Sequence, residues 1–138
     1  MTEPEAGTTA IVDLVVRESD CADALRLSHD SRDQFPAVFA TTRMIALMEL
    51  AGARLLHPLL QNGEMSVGAH VDVSHIAATP IGAKVSATAT YRGREGKLFV
   101  FEVIAHDPGG EIGRGTHKRA VVSRDRLIAG AERRRSHG

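Results

Sequence analysis

Apolar residues recur along this chain with two different periods, and the change of period divides it in two. Through residues 35–57 (FPAVFATTRMIALMELAGARLLH), Met44, Leu47, Met48, Ala51 and Leu55 keep the i, i+3, i+4 spacing that lines one face of a helix. The pattern predicts an amphipathic helix. It starts at Thr41 or Thr42, whose hydroxyls can cap it, and ends near His57-Pro58, because proline disfavours helical geometry in the residue before it. Upstream, residues 8–16 (TTAIVDLVV) are β-branched and apolar and predict a first strand. Residues 17–34 are polar with weak periodicity. They predict a short turn of helix near Ala22 to Leu27, then a charged loop of a length that often serves as a lid or binding loop.

From Met65 the period becomes two. Residues 65–77, 83–92, 97–106 and 111–123 alternate as strands, with Val85, Ala87, Ala89 and Tyr91 on one side of the second. Turn-forming stretches at 79–82, 93–96 and 107–110 separate them, so the four read as an antiparallel meander. One strand, a long loop, one helix and four strands make an α+β arrangement in which a sheet curls round a helix. Residues 1–124 form this single domain. Residues 125–138, with Arg133 to Arg135 and His137, read as a polar, basic, solvated or flexible tail. One sheet round one helix leaves an edge and a helix side uncovered, so a homodimer that extends the sheet is expected.

Composition narrows the function. The 138 residues are 43% hydrophobic, enough for one core and too few for two ordinary domains. Lys+Arg and Asp+Glu both number 17, so charge gives no case for nucleic acid or an anionic membrane as partner. The lone cysteine, Cys21, has no internal partner, the start is acidic with its apolar part broken by Asp13, unlike a signal peptide, and no apolar run approaches the roughly 18 residues of a membrane span. A cytoplasmic protein with no membrane partner is expected.

Several chemistries lack their residues. Gly82, Gly93, Gly96, Gly109, Gly110, Gly113 and Gly115 lie at strand turns or within strands, not between a strand and a helix as a phosphate cradle requires. No serine sits in a G-x-S-x-G elbow, and Cys21 has no neighbouring histidine. His70 and His75 are five apart on one strand and face opposite ways, while His57, His106 and His117 are scattered, so zinc has little support. Four positions remain: Thr41, Glu49, His75 and Arg119. Each has a plain reading, as a cap, a solvated helix residue, a structural histidine and an exposed strand arginine. Their combination favours chemistry. A carboxylate held among apolar groups would have a raised pKa suited to a base or nucleophile, and an arginine can pair with it or with a ligand anion.

Three separated blocks then carry a resemblance: FPAVFATTRMIALMELA, GEMSVGAHVDVSHIAATPIGAKVSATAT and IAHDPGGEIGRGTHKRAVV. In order and spacing they closely resemble the hot-dog-fold acyl-CoA thioesterases of the fluoroacetyl-CoA thioesterase type, over roughly residues 33–124. The resemblance implies a hot-dog fold working as a dimer. It further implies a catalytic set of Thr41, Glu49 and His75, with Phe35, Gly68 and Arg119 contacting substrate. Two positions depart from it: Arg32 stands where a second lid phenylalanine is found, and Thr42 where the helix start carries glycine. Both bear on which acyl group is accepted.

The activity so implied is hydrolysis of a short-chain acyl-CoA, fluorinated or not, to the free acid and CoA, with no cofactor beyond the CoA of the substrate. Backbone N–H groups near Gly68 or the helix start would polarise the carbonyl. Glu49 would attack or activate water, Thr41 would position Glu49 or the substrate, and His75 would move the proton. Two other classes share the fold, a non-catalytic acyl-CoA binding module and an acyl-CoA hydratase or dehydratase.

Overall fold

The alternating half of the chain supplies four strands of one five-stranded antiparallel sheet. A computed structural model describes residues 3–136, so His137 of the tail lies outside the described residues. In chain order the elements are β1 (Thr9–Val15), α1 (Thr41–Leu56), β2 (Glu64–His75), β3 (Lys84–Glu95), β4 (Leu98–Asp107), β5 (Gly110–Ser123) and α2 (Arg124–Arg135). The strands lie in the order β1-β3-β4-β5-β2, and α1 touches all five. The expected α+β hot-dog arrangement is therefore present.

The core is where the two periodicities meet. Met44, Leu47, Met48, Ala51 and Leu55 are buried on α1, facing Val85, Ala87, Ala89 and Tyr91 of β3 and Phe99, Phe101, Val103 and Ala105 of β4. Each large side chain so buried contributes about 1.5–3 kcal/mol. Leu56 and Gly52 are buried beside the stripe, so the packed face of the helix is wider than its spacing alone indicates.

Four expectations are corrected. Only β3, β4 and β5 form a meander; β2 crosses to the far edge and pairs with β5. The reason is that β3 already uses both its edges, for β1 and β4. The crossing segment is pinned by Phe39 N–H donating to the Thr79 carbonyl at 2.9 Å. Second, neither threonine caps α1: the N-cap is Ala40, whose carbonyl accepts from the N–H groups of Arg43 and Met44, both at 3.0 Å. Third, the expected turn of helix near Ala22 to Leu27 is present but shorter, a 3-10 turn at Ala22–Ala24, and a second such turn, Glu18–Asp20, precedes it. Fourth, the expected tail is helical. Ser123 caps α2 by accepting from Arg126 N–H, and none of the helix is buried, as its polar composition requires.

β2 is one of the two edges of the sheet, β1 being the other, and residues 68–72 at the middle of β2 are all exposed. No helix among the described residues is long and apolar enough to cross a membrane.

Candidate active site

The site residues fall into two groups at opposite ends of the α1–β2 contact. The first is at the start of α1. Thr41, freed from capping, shares a 2.8 Å hydrogen bond between its Oγ1 and Nδ1 of His75, the last residue of β2. Burial pushes the His75 imidazole below its ordinary value, with the Ala77 backbone acting the other way, so the ring is neutral near pH 7. Its Nε2 is buried with no hydrogen-bond partner. A buried polar atom left open is unusual and fits a site awaiting another group. Thr41 and Thr42 also line a cleft of about 1060 Å³ whose other wall is the 22–35 segment, ending in Phe35. Phe35 is exposed, and Arg32 points its guanidinium at Asp30 with bonds of 3.0 and 2.7 Å.

The second group surrounds Glu49, two turns further along the helix. Its carboxylate is not held among apolar groups, as the helix pattern alone led one to expect. Arg119 Nη1 donates to Glu49 Oε1 at 3.2 Å, and His117 Nε2 stands 4.0 Å from the same oxygen. Arg119 is buried on β5, so the exposed-arginine reading is excluded. Burial pulls its pKa below the usual value while the charge of Glu49 opposes this, and the guanidinium remains charged. Its other donors are also engaged, Nε with Ser66 Oγ and Nη2 with the Ser66 carbonyl, both at 3.0 Å.

Gly68 lies directly against this carboxylate. A Cβ added there would overlap Glu49 Oε1 and sit 3.4 Å from His117 Cε1. The glycine therefore leaves room for Glu49. It also opens a bulge, since the β2–β5 register shifts between Gly68 and His70.

Among the described residues, no hydrogen bond or ion pair joins Glu49 to Thr41 or His75. Eight residues of helix separate Thr41 from Glu49, about 12 Å of rise. Two members of the Glu49 group, Ser66 and His117, are not among the candidate site residues named above. His117 carried a signal: it lies two residues before Arg119 on one strand and so faces the same way.

A long helix wrapped by one antiparallel sheet is the hot-dog arrangement, and here a carboxylate, a hydroxyl and an imidazole lie along the helix–sheet contact. Solved structures agree. A variant of a fluoroacetyl-CoA-specific thioesterase in complex with fluoroacetate and CoA superposes with a TM-score of 0.83 at 38% identity, over 90% of this chain and 99% of that one. A thioesterase superfamily member from Thermus thermophilus superposes with a TM-score of 0.83 at 26% identity, over 99% of this chain and 96% of that one. The fluoroacetyl-CoA thioesterase of Streptantibioticus cattleyicolor is 47% identical over 96 residues, 70% of this chain and 69% of its own. Residues 16–125 match the fluoroacetyl-CoA-specific thioesterase family, and the chain belongs to it. It is a thioester hydrolase.

Proposed function

We propose that this acyl-CoA thioesterase hydrolyses short-chain acyl-CoA esters, using Glu49, Thr41 and His75 for the chemistry and Phe35, Gly68 and Arg119 to hold the substrate. The observation that carries the reading is the state of the Glu49 carboxylate. Its Oε1 is fixed by Arg119, while no described residue hydrogen-bonds its Oε2. One oxygen is anchored and the other is left to react. Attack of Oε2 on the thioester carbonyl breaks the C–S bond, releases the CoA thiolate and leaves an acyl-glutamyl anhydride that water then hydrolyses; in the alternative, Oε2 takes a proton from a water that attacks the carbonyl and expels the thiolate directly. His75, held by Thr41, supplies or relays the proton the thiolate takes up. The acyl group leaves as the free acid and no cofactor enters.

The working form in this reading is a homodimer. Within one protomer Gly68 and His75 are seven residues apart on an extended strand, roughly 23 Å, so the two halves of the site cannot meet. The open β2 edge offers the remedy. Antiparallel pairing of two β2 strands about a two-fold centre at Val71 sets His75 of one protomer opposite Val67 of the partner subunit, one residue from the partner's Gly68. Exposure along residues 68–72 supports this edge as the interface. A reducing, cytoplasmic setting is consistent with the free, buried Cys21.

Glu49→Gln tests the assignment. Thiol release is followed with acetyl-, fluoroacetyl-, propionyl- and longer acyl-CoA. The expected result is a loss of kcat of at least about 10²-fold on every substrate the wild type cleaves. Full activity in this variant would overturn the role of Glu49.

A further inference from the structure

The Glu49 group contains a histidine for which hydrolysis has no evident use. His117 is 1% exposed, yet both its ring nitrogens are engaged with polar partners. Its Nδ1 stands 2.9 Å from the His70 carbonyl, which can only accept, so Nδ1 carries the proton. In the neutral ring Nε2 is then an acceptor. At 3.1 Å from it lies Arg119 Nη1, the same nitrogen that donates to Glu49. The ring's face is stacked on Phe101, with centroids 6.3 Å apart and planes 29° apart, which fixes its orientation.

We infer that His117 is a positioning residue for the reaction: acting as a neutral acceptor, it holds the Arg119 fork at the angle that presents Glu49 to substrate. The inference rests on the proposed role of Glu49 and goes beyond it. Arg119 is gripped from two sides. Ser66 holds the Nε and Nη2 side, and His117 holds Nη1. Without His117, Ser66 alone orients the guanidinium, and Nη1 is left with a single partner, a partly exposed carboxylate. The same imidazole ties the edge strand at the bulge beside Gly68, so one side chain coordinates the carboxylate, its arginine and the strand that faces it.

This role carries a pH signature that simple packing does not. The charged and titratable groups facing His117 are Glu49 from α1, Arg119 from β5 and His70 from β2; β4 contributes only the Phe101 ring. Protonation of His117 would turn its acceptor into a donor opposed to Arg119 N–H and place two cations together. Burial, with the charge of Arg119 adding to it, outweighs the bond to the His70 carbonyl and the charge of Glu49 and pushes the imidazole below its ordinary value. Activity should thus drop below that value through His117 as well as through His75.

The test compares His117→Phe, which keeps the stacking but no acceptor, with His117→Gln, which restores an acceptor. Circular dichroism and thermal melting verify folding, and kcat and KM for acetyl-CoA are measured from pH 4.5 to 9. The Phe variant is expected to lose about 10- to 100-fold in kcat with little change in KM. The Gln variant should recover most of that loss, with an acid limb less steep than wild type by one proton. A folded Phe variant with wild-type kcat overturns the inference. Should the Phe variant fail to fold, the Gln variant decides, and an acid limb as steep as wild type overturns the inference. Glu49→Gln is assayed in parallel. If it is inactive while both His117 variants are fully active, only the inference fails; if it is fully active, the reading of the site fails and the inference with it.

Discussion

At the scale of single residues, Gly68 shows how space and chemistry are coupled. It is not among the glycines with positive φ, so its backbone does not demand glycine. What demands it is the Glu49 carboxylate, whose Oε1 occupies the place a Cβ would take. Because that oxygen ends a flexible side chain, Gly68→Ala should displace the carboxylate and leave the fold intact. The expected outcome is a loss of about 10²-fold in kcat, from a displacement on the order of 1 Å, with a melting temperature within a few degrees of wild type. Steady-state assays beside thermal melts verify this, and an unimpaired kcat would reject the close contact. The residues involved differed in how readable they were. Glu49 on an apolar helix and His75 at a strand end were visible as residue types out of place. Ser66 was not, because a serine on a strand has no sequence mark until Arg119 is seen to bond both its hydroxyl and its carbonyl. Thr41 had two readings, cap and site hydroxyl, and only the first fails: a tertiary partner 34 residues away takes the hydroxyl.

Elements set where those residues stand, and the start of α1 matters most because Thr41 is its first residue. Its entry is held by Asp20, a carboxylate with no solvent exposure. Asp20 accepts from Arg17 at 3.0 and 3.2 Å and from Arg43 on α1 at 3.1 and 2.8 Å, while its own carbonyl accepts from Ala40 N–H at the N-cap. Burial alone would raise the Asp20 pKa; the hydrogen bonds from Arg17 and Arg43 outweigh it and hold the group well below the usual carboxylate range. A lowered native pKa means that the clamp contributes fully above the unfolded value of about 3.9 and is lost as pH falls toward the native one. Asp20→Asn should therefore cost about 1–3 kcal/mol in urea unfolding at pH 7, kept modest because both arginines are partly solvated. Its difference from wild type should shrink progressively below pH of about 4; a gap that stays constant to the acid end would contradict the assignment. None of this clamp was legible in advance, since residues 17–34 lack any period. The strands were legible from their alternation, but strand order was not. Alternation marks which face of β2 is buried and says nothing about which neighbour it pairs with, and that is decided by β3 having no free edge.

At the scale of the whole molecule, the helix and strand that carry the site also divide it. The rise of α1 sets Thr41 about 12 Å along the helix from Glu49, and the length of β2 sets His75 roughly 23 Å from Gly68, so on the proposed assignment one protomer does not close the site by itself. A two-fold axis at the β2 edge would bring the ends together, and each dimer would then hold two sites. Every site would take Thr41 and His75 from one protomer and Glu49 from its partner. This division predicts complementation between two inactive proteins. Glu49→Gln retains a sound Thr41–His75 pair, and His75→Ala retains a sound Glu49. After subunits are mixed and exchanged, a heterodimer has one site built wholly from intact residues and one that lacks both. With random pairing about half of the dimers are mixed and half of their sites are whole, so activity should return to about a quarter of wild type per protomer. Two tagged variants, co-purified and assayed for thiol release, provide the measurement. A site complete within one protomer predicts no recovery in the mixture, because neither chain then has all three groups. That result would refute the shared site even if the protein were dimeric.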